Sequence, residues 1–233
     1  MPSFDFGPFF YNSFRIAHFL GINNLILYEF CSQLYEKFIK VKSGDVVVDI
    51  GASVGIFSVP VADREPEAKF YCVEPSPSCM IILIKNASHL CNIEFINKGI
   101  YFSNVTKVLD GVIYDVGFDK VEKVPVELIT IRDLFEDYDL RPDFLKVDCE
   151  GSEYHIFTKD NLDIILSIPH IATEFHIESV EQEILFRDFR DNILPYFPRF
   201  EIYDWKGEVN LRSKMYEDNF TIDYDNILVY IFN

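Results

Sequence analysis

The sequence is poor in positive charge, in paired cysteines and in long apolar runs. Its 21 Lys and Arg residues stand against 38 Asp and Glu residues, which gives a formal net charge of -17. Proteins that bind a phosphate backbone need a basic surface, and no cluster of Lys and Arg appears anywhere along this chain. Nucleic acid is therefore not the expected partner.

The cysteines are scattered, odd in number and never spaced as CxxC, and they are Cys31, Cys72, Cys79, Cys91 and Cys149. This pattern is typical of reduced thiols in a cytosolic protein, and it argues against a disulfide framework or a zinc site. The apolar N-terminus lacks a basic leader and is interrupted by Asp5, Arg15 and His18, so no membrane span is expected. The sequence predicts a soluble, cytoplasmic protein. Nothing in it indicates an oligomeric state.

The length and composition suit one globular α/β domain over residues 1–233. Hydrophobic residues make up 49% of the 233-residue chain and charged residues 25%. We expect a helical, aromatic-rich extension over residues 1–42, with an amphipathic helix from Asn24 to Lys40, before an α/β core over residues 43–233. The aromatic residues before Gly21 either pack on the domain as an arm or form a lid or wall of an acceptor pocket.

One stretch organises the core. Val46 to Ile50 form a predicted buried strand, and Gly51 and Gly55 then mark a tight turn that leads into a helix. Glycine at these places lets the backbone come close to a ligand or to a neighbouring element. A strand, a glycine turn and a helix in this order are typical of nucleotide-binding domains, although a purely structural turn has the same appearance.

An acid follows at the end of the second predicted strand. Glu74 ends the strand that begins at Lys69, about 20 residues beyond Gly55, where an acid accepts hydrogen bonds from ribose hydroxyls. Pro75 and Ser76 come next, with Ser76 as the predicted N-cap of a helix. Asn97 and Lys98 end the third strand, near the expected adenine edge, and are weaker binding candidates. Together these residues indicate an adenosine cofactor.

Strands and helices alternate along the rest of the core. Phe144 to Asp148 and Pro169 to Ile177 are predicted strands, and a pair of strands near the C-terminus completes the sheet. The pattern predicts a doubly wound, Rossmann-like α/β sheet, mostly parallel with an antiparallel last strand and with helices on both faces. Between residues 101 and 126 we expect two extra short strands, Val105 to Leu109 and Val124 to Leu128, with Gly111 and Gly117 in turns.

Five segments, in this order, resemble the FkbM family of class I S-adenosylmethionine-dependent methyltransferases. They are VVVDIGASVGIFSVPVA, FYCVEPSP, ELITIRDLF, DFLKVDCEGSEYHIF and IATEFH. The resemblance extends from about Asp45 to Glu178, and ELITIRDLF and LKVDCEGSE are its most specific parts. It implies an O-methyltransferase that acts on a sugar, a glycan or a related small molecule with a hydroxyl group. The NPPY or DPPY sequence of N6-adenine methyltransferases is missing.

The resemblance also implies roles for individual residues. It places Asp49, Gly51, Ala52, Ser53, Gly55, Glu74 and Asp148 on S-adenosylmethionine. Their positions after the second and third strands add Pro75, Ser76, Asn97 and Lys98 to the predicted contacts. Of these, Asp148 is expected near the reacting methyl group and Glu74 on the ribose hydroxyls.

Methyl transfer to oxygen needs a group that accepts the hydroxyl proton, and two places in the chain offer one. His176 is the preferred base, because an imidazole suits proton transfer at neutral pH, and Glu174 shares its face of the strand. Asp148 and Glu150 are the other catalytic candidates, although Glu150 has the alternative role of binding backbone amides in its loop. All four groups have a further alternative role as ligands of a divalent cation such as Mg²⁺. No ligand spacing in the sequence establishes a metal site.

Two other functions fit the same fold. An NAD-dependent oxidoreductase is disfavoured because the glycine turn is not GxGxxG. A cofactor-binding module without catalysis is disfavoured because Asp49, Glu74 and Asp148 are all present.

Overall fold

The computed structural model describes residues 33–115, 118–217, 220 and 226–233. The strands of its main sheet are β1 (Val46–Ile50), β2 (Lys69–Val73), β3 (Ile93–Ile96), β7 (Phe144–Val147), β8 (His170–His176), β9 (Arg199–Asp204) and β10 (Asn226–Phe232). Among the described residues these form one seven-stranded sheet in the order β3-β2-β1-β7-β8-β10-β9. The pairs from β3 to β8 are parallel, and β10 is antiparallel to both of its neighbours. The predicted sheet is therefore confirmed.

Core residues cover both faces of the sheet. Successive side chains of each strand point to opposite faces, so each strand contributes to both layers of the core. The helices are α1 (Ser58–Arg64), α2 (Pro77–Asn86), α3 (Ile131–Asp137), α4 (Leu162–Ile165) and α5 (Val180–Asn192). Val47 of β1 packs on one face with Phe57 and Val61. Val48 lies in the core of the other face, together with Leu134 of α3 and further residues of α5. This two-sided burial explains the apolar composition of β1.

The helix starts follow local side-chain signals. Ser76 is the N-cap of α2 and accepts a hydrogen bond from the backbone N–H of Cys79, and Pro77 is the first helical residue. Ser179 caps α5 in the same way through the N–H of Gln182. The Gln182 side chain in turn accepts a hydrogen bond from the N–H of Glu178. The cap predicted at Ser76 is confirmed, and the serine and glutamine around the start of α5 form a capping box, which is also a local sequence signal.

The predicted short strands between residues 101 and 126 are wrong in extent. Strands β5 (Val105–Asp115) and β6 (Phe118–Ile129) form one long antiparallel hairpin, and β4 (Gly99–Ile100) pairs in parallel with β6. Gly111 lies inside β5, opposite Glu122, and not in a turn. The full length of these strands could not be predicted because their sequence lacks a regular hydrophobic pattern. Two strands that form a ladder of backbone hydrogen bonds with each other do not need an apolar face.

Several predictions fall outside the described residues, most of them at the N-terminus. The aromatic segment, most of the predicted helix Asn24 to Lys40 and Gly117 belong to this group, so the single-domain organisation stays a prediction. Where the chain is described, helical backbone ends at Tyr35 and not at Lys40. The side chain of Glu36 accepts a hydrogen bond from the N–H of Val41, which stabilises the turn that replaces the helix. Within the described ranges, no helix has the length and apolar character needed to cross a bilayer.

Candidate active site

The glycine turn after β1 is shaped by a neighbouring strand end. Gly51 has φ +78, and a Cβ atom placed there would lie 1.7 Å from the backbone oxygen of Asp148. Gly55 has φ +89, and its Cβ would lie 2.5 Å from Leu83 of α2. Of the two reasons for glycine given above, close approach to a neighbouring element is the one that this structure shows.

Glu74 lies beside this turn at the end of β2. One carboxylate oxygen accepts a hydrogen bond from the N–H of Ser53 at 2.8 Å, and the other accepts from the N–H of Ser76 at 2.8 Å. Burial raises the pKa of Glu74, although both amide hydrogen bonds and the charge of Lys146 act in the opposite direction. Glu74 thus brings together the loop after β1 and the start of α2.

The two weaker candidates at the end of β3 differ in position. The Asn97 side chain donates to the carbonyl oxygens of Glu74 and Pro75, at 2.7 and 3.1 Å. The Nζ atom of Lys98 lies 3.2 Å from a carboxylate oxygen of Glu127 on β6. Asn97 therefore holds the backbone that follows β2, whereas Lys98 makes its ion pair with the hairpin.

A buried lysine lies beneath the turn. Nζ of Lys146 is 3.0 Å from Oδ1 of Asp49 and 3.6 Å from Oδ2 of Asp148, and it donates to the carbonyl oxygen of Gly51 at 2.8 Å. Burial alone would lower the pKa of Lys146, but the charges of the two aspartates raise it overall. Asp49 is completely buried and also accepts from Ser58, so it supports the turn from below.

A single hydroxyl lies between two acids at the ends of β7 and β8. The Tyr35 oxygen is 2.9 Å from Oδ2 of Asp148 and 3.0 Å from Oε2 of Glu174. Asn226 donates to the other oxygen of Glu174 at 2.8 Å. Burial and the charge of Asp148 raise the pKa of Glu174 to about 7. Burial acts in the same direction on Asp148, but the charges of Lys146 and His176 outweigh it and lower its pKa.

His176 is fixed from the side that faces away from Asp148. Its Nδ1 lies 3.1 Å from Oε1 of Glu153, and the backbone N–H of His176 donates to the same oxygen at 2.7 Å. Nε2 lies 3.5 Å from Glu150 and 3.7 Å from Asp148. Burial alone would lower the pKa of His176, but the Glu153 hydrogen bond and the nearby carboxylates raise it to about 10. The carboxylates therefore favour the charged form of this imidazole, and the general-base role expected from sequence stays a prediction.

The loop after β7 uses a different acid from the one expected. Glu153 is fully buried and accepts a hydrogen bond from the N–H of Gly151 at 2.9 Å. Glu150, which was the candidate for binding backbone amides, has φ +54 and an exposed side chain. Glu153 therefore shapes the loop, and Glu150 extends from it.

The predicted catalytic residues meet in one place. We call the following residues the strand-end cluster: Tyr35, Asp148, Glu150, Glu153, Glu174 and His176. It contains all four predicted catalytic residues, which the sequence had placed in two separate sets. Sequence reasoning missed Tyr35, Lys146, Glu153 and Asn226. Lys146 had a visible signal, because it is the one charged residue of the apolar strand β7.

Comparison with family models identifies the domain that contains these residues. The model of the methyltransferase FkbM domain matches residues 49–209, well over half of the chain. The chain belongs to this family. The matched range includes the glycine turn, Glu74 and every member of the strand-end cluster except Tyr35.

Individual relatives of this FkbM-domain chain are more distant. The methyltransferase sdnD of Sordaria araneosa is 27% identical over 154 residues, which cover 49% of this chain and 60% of that protein. Among solved structures, a putative rRNA methylase from Clostridium thermocellum superposes with a TM-score of 0.52 at 12% identity, covering 85% of this chain and 92% of that one. A fibrillarin/Nop5p complex superposes with a TM-score of 0.51 at 13% identity, covering 89% of this chain and 83% of that one. These two likenesses show the fold, which is that of class I S-adenosylmethionine-dependent methyltransferases.

Proposed function

We propose that this chain transfers the methyl group of S-adenosylmethionine to a hydroxyl oxygen of a small acceptor, with a sugar or glycan precursor as the preferred class. The observation that carries the proposal is the position of the strand-end cluster. Asp148 ends the strand next to β1, and its backbone packs against the glycine turn. A cofactor on the turn would thus present its reactive group to the acids of the cluster.

The charge of the cluster supports this cofactor over a dinucleotide. Four carboxylates lie within the cluster, and Lys146 beneath it is already paired with Asp49. Such a negative site favours the sulfonium and ammonium groups of S-adenosylmethionine and disfavours the pyrophosphate of NAD. Family membership points the same way, so the oxidoreductase alternative is the weaker one.

The cofactor contacts follow the crevice. We assign Gly51, Ala52, Ser53 and Gly55 to the methionine and ribose side, and Glu74 to the ribose hydroxyls. Pro75, Ser76 and Asn97 are assigned to the adenine side. Asp49 acts indirectly, because it is buried under the turn. Lys98 is the weakest of the predicted contacts, since its side chain pairs with Glu127.

Asp148, Tyr35 and Glu174 form the unit that we assign to proton removal. In the transfer, the carbon–sulfur bond breaks as the new oxygen–carbon bond forms, and the hydroxyl proton passes to a carboxylate of this unit. The products are the methyl ether and S-adenosylhomocysteine. Two half-buried acids that share one hydroxyl repel each other when both are ionised, so the pair is suited to accept one proton. The side chain of Asp148 is 29% exposed, so an acceptor can reach it from solvent.

The first test is calorimetric titration of the purified protein with S-adenosylmethionine and, separately, with NAD. Binding of S-adenosylmethionine alone is expected. Protein that binds it is then incubated with a trideuteromethyl cofactor and a panel of sugars and phenols, and products are detected by mass spectrometry. A methylated oxygen in the product supports the proposal. A folded protein that binds only NAD, or that methylates only nitrogen or carbon, contradicts it.

A further inference from the structure

We propose that Asp148, Glu150 and His176 form a binding site for a divalent cation of the Mn²⁺ type. One ligand atom from each residue lies within 4.8 Å of the others. The Nε2 atom is 3.5 Å from Oε2 of Glu150 and 3.7 Å from Oδ1 of Asp148. Ligands bound at right angles to a cation at ~2.1 Å lie ~3 Å apart, so small side-chain rotations complete the triad.

The imidazole provides the second observation. His176 is only 4% exposed, and its Nε2 atom faces both carboxylates, at 3.5 Å from Glu150 and 3.7 Å from Asp148. Nε2 can hold a cation once it has lost its proton, so binding of the ion releases that proton. Its Nδ1 atom is held by the buried carboxylate of Glu153. A carboxylate on the far nitrogen of a histidine is the usual arrangement around metal-binding histidines, because it fixes the ring and leaves Nε2 for the ion.

The chemistry of the ligand atoms indicates which ion the site would bind, and their positions indicate which residues would bind it. One imidazole nitrogen with two carboxylates suits Mn²⁺ and similar first-row ions better than Mg²⁺, which prefers oxygen ligands and water. Glu174, which the sequence placed among the ligands, lies outside the group of residues whose ligand atoms come within 4.8 Å of one another. The exposed side of Glu150 leaves coordination positions open to a ligand from solvent.

The role of the ion rests on the proposed function, although its binding does not. A cation at this place would coordinate an acceptor hydroxyl and make its proton easier to remove. The neighbouring pair of Asp148 and Glu174 would then need to be only a weak base.

The experiment measures Mn²⁺ binding to cofactor-free protein by electron paramagnetic resonance, in which the signal of free Mn²⁺ disappears as the ion binds. We expect saturable binding of one ion per chain. Glu150→Gln should weaken the affinity at least ~10-fold, because it removes a charged ligand on an exposed, fold-tolerant side chain. Glu178→Gln is the matched control: it removes the same charge from an exposed position nearby and should change the affinity less than ~2-fold. His176→Asn, checked for folding by circular dichroism, should also weaken binding at least ~10-fold.

Two results would overturn the site. One is a folded protein that takes up no Mn²⁺ at millimolar concentration, and the other is an equal loss of affinity in the Glu150 and Glu178 variants, which would indicate nonspecific attraction. Titration of S-adenosylmethionine in EDTA separates this proposal from the previous one. Cofactor binding without cation binding removes the metal site alone, and cation binding without cofactor binding removes the proposed methyl transfer alone.

Discussion

The Nζ atom of Lys146 lies 3.0 Å from Oδ1 of Asp49, and this buried ion pair joins strands β7 and β1 directly beneath the glycine turn. The side chains of both residues are less than 5% exposed. A buried pair of this kind stabilises a fold little more than apolar residues of the same volume, but loss of one partner leaves an uncompensated buried charge. Since Lys146 also contacts the carbonyl oxygen of Gly51, the pair determines how the turn is held.

The first prediction concerns this pair. Lys146→Met keeps the length of the side chain but removes its charge, which leaves Asp49 buried without its counter-ion. We expect the free energy of unfolding to fall by about 3–5 kcal/mol, measured by urea denaturation. The surface pair Lys98–Glu127 supplies the control, since Lys98→Met should cost less than about 1 kcal/mol. A Lys146→Met protein as stable as wild type would show that Asp49 is not dependent on the lysine.

The second prediction compares two glycines with positive φ. Gly51→Ala would place a Cβ atom 1.7 Å from the backbone oxygen of Asp148, whereas at Gly44, with φ +87, nothing lies within 4 Å. Gly44→Ala therefore pays only for the backbone conformation, about 1–2 kcal/mol. Gly51→Ala must displace the end of β7 in addition, so we expect it to lower the melting temperature much further than Gly44→Ala. Equal melting temperatures for the two variants would contradict the close packing described here.

Local sequence signals were enough to predict the main sheet. The β-branched run of β1, the serines that cap α2 and α5, and the apolar strand β8 each act over a few residues. Their order along the chain then defines the parallel topology. The strands of the β5–β6 hairpin were predicted too short. Two strands that pair mainly with each other need not alternate between apolar and polar residues, so no sequence pattern marked their full length.

The sequence predicted several residues of the site but not the hydrogen bonds and ion pairs between them. Asp148, Glu174 and His176 follow from the rule that ligands bind at the carboxyl ends of strands. Tyr35 lies 113 residues before Asp148 and 139 before Glu174, and no pattern in the chain links it to either. Glu153 changes the interpretation of His176 from a free imidazole to one that is held by a buried carboxylate and has a raised pKa. Such effects depend on tertiary contacts and burial, which spacing along the chain does not encode.

The third prediction tests the cofactor crevice. Glu74→Gln keeps the shape of the side chain but weakens its hold on the amides of Ser53 and Ser76 and removes the charge proposed to bind ribose. We expect the dissociation constant for S-adenosylmethionine to rise at least ~10-fold in calorimetry, since hydrogen bonds to a charged group contribute about 1.5–3 kcal/mol. Glu94→Gln, which removes an equivalent charge from the exposed pair with Lys69, should leave the affinity unchanged. Unchanged affinity in Glu74→Gln would remove Glu74 from the cofactor site.

The last prediction uses the pH dependence of stability. The pKa of Glu174 is raised from 4.5, the value for an exposed carboxyl in the unfolded chain, to about 7 in the folded protein. Between these two pH values the folded protein therefore binds more protons than the unfolded chain does. The stability that the protonated carboxyl contributes is fully present below pH 4.5 and is lost as the pH rises through 7. Glu174→Gln cannot ionise, so in EDTA its stability relative to wild type should increase by about 1–3 kcal/mol between pH 5 and pH 8. Glu178→Gln, an exposed variant with the same change of charge, should follow the wild-type curve. If the Glu174→Gln and wild-type curves stay parallel across this range, the two acids around Tyr35 do not share a proton in the manner that the proposed methyl transfer requires.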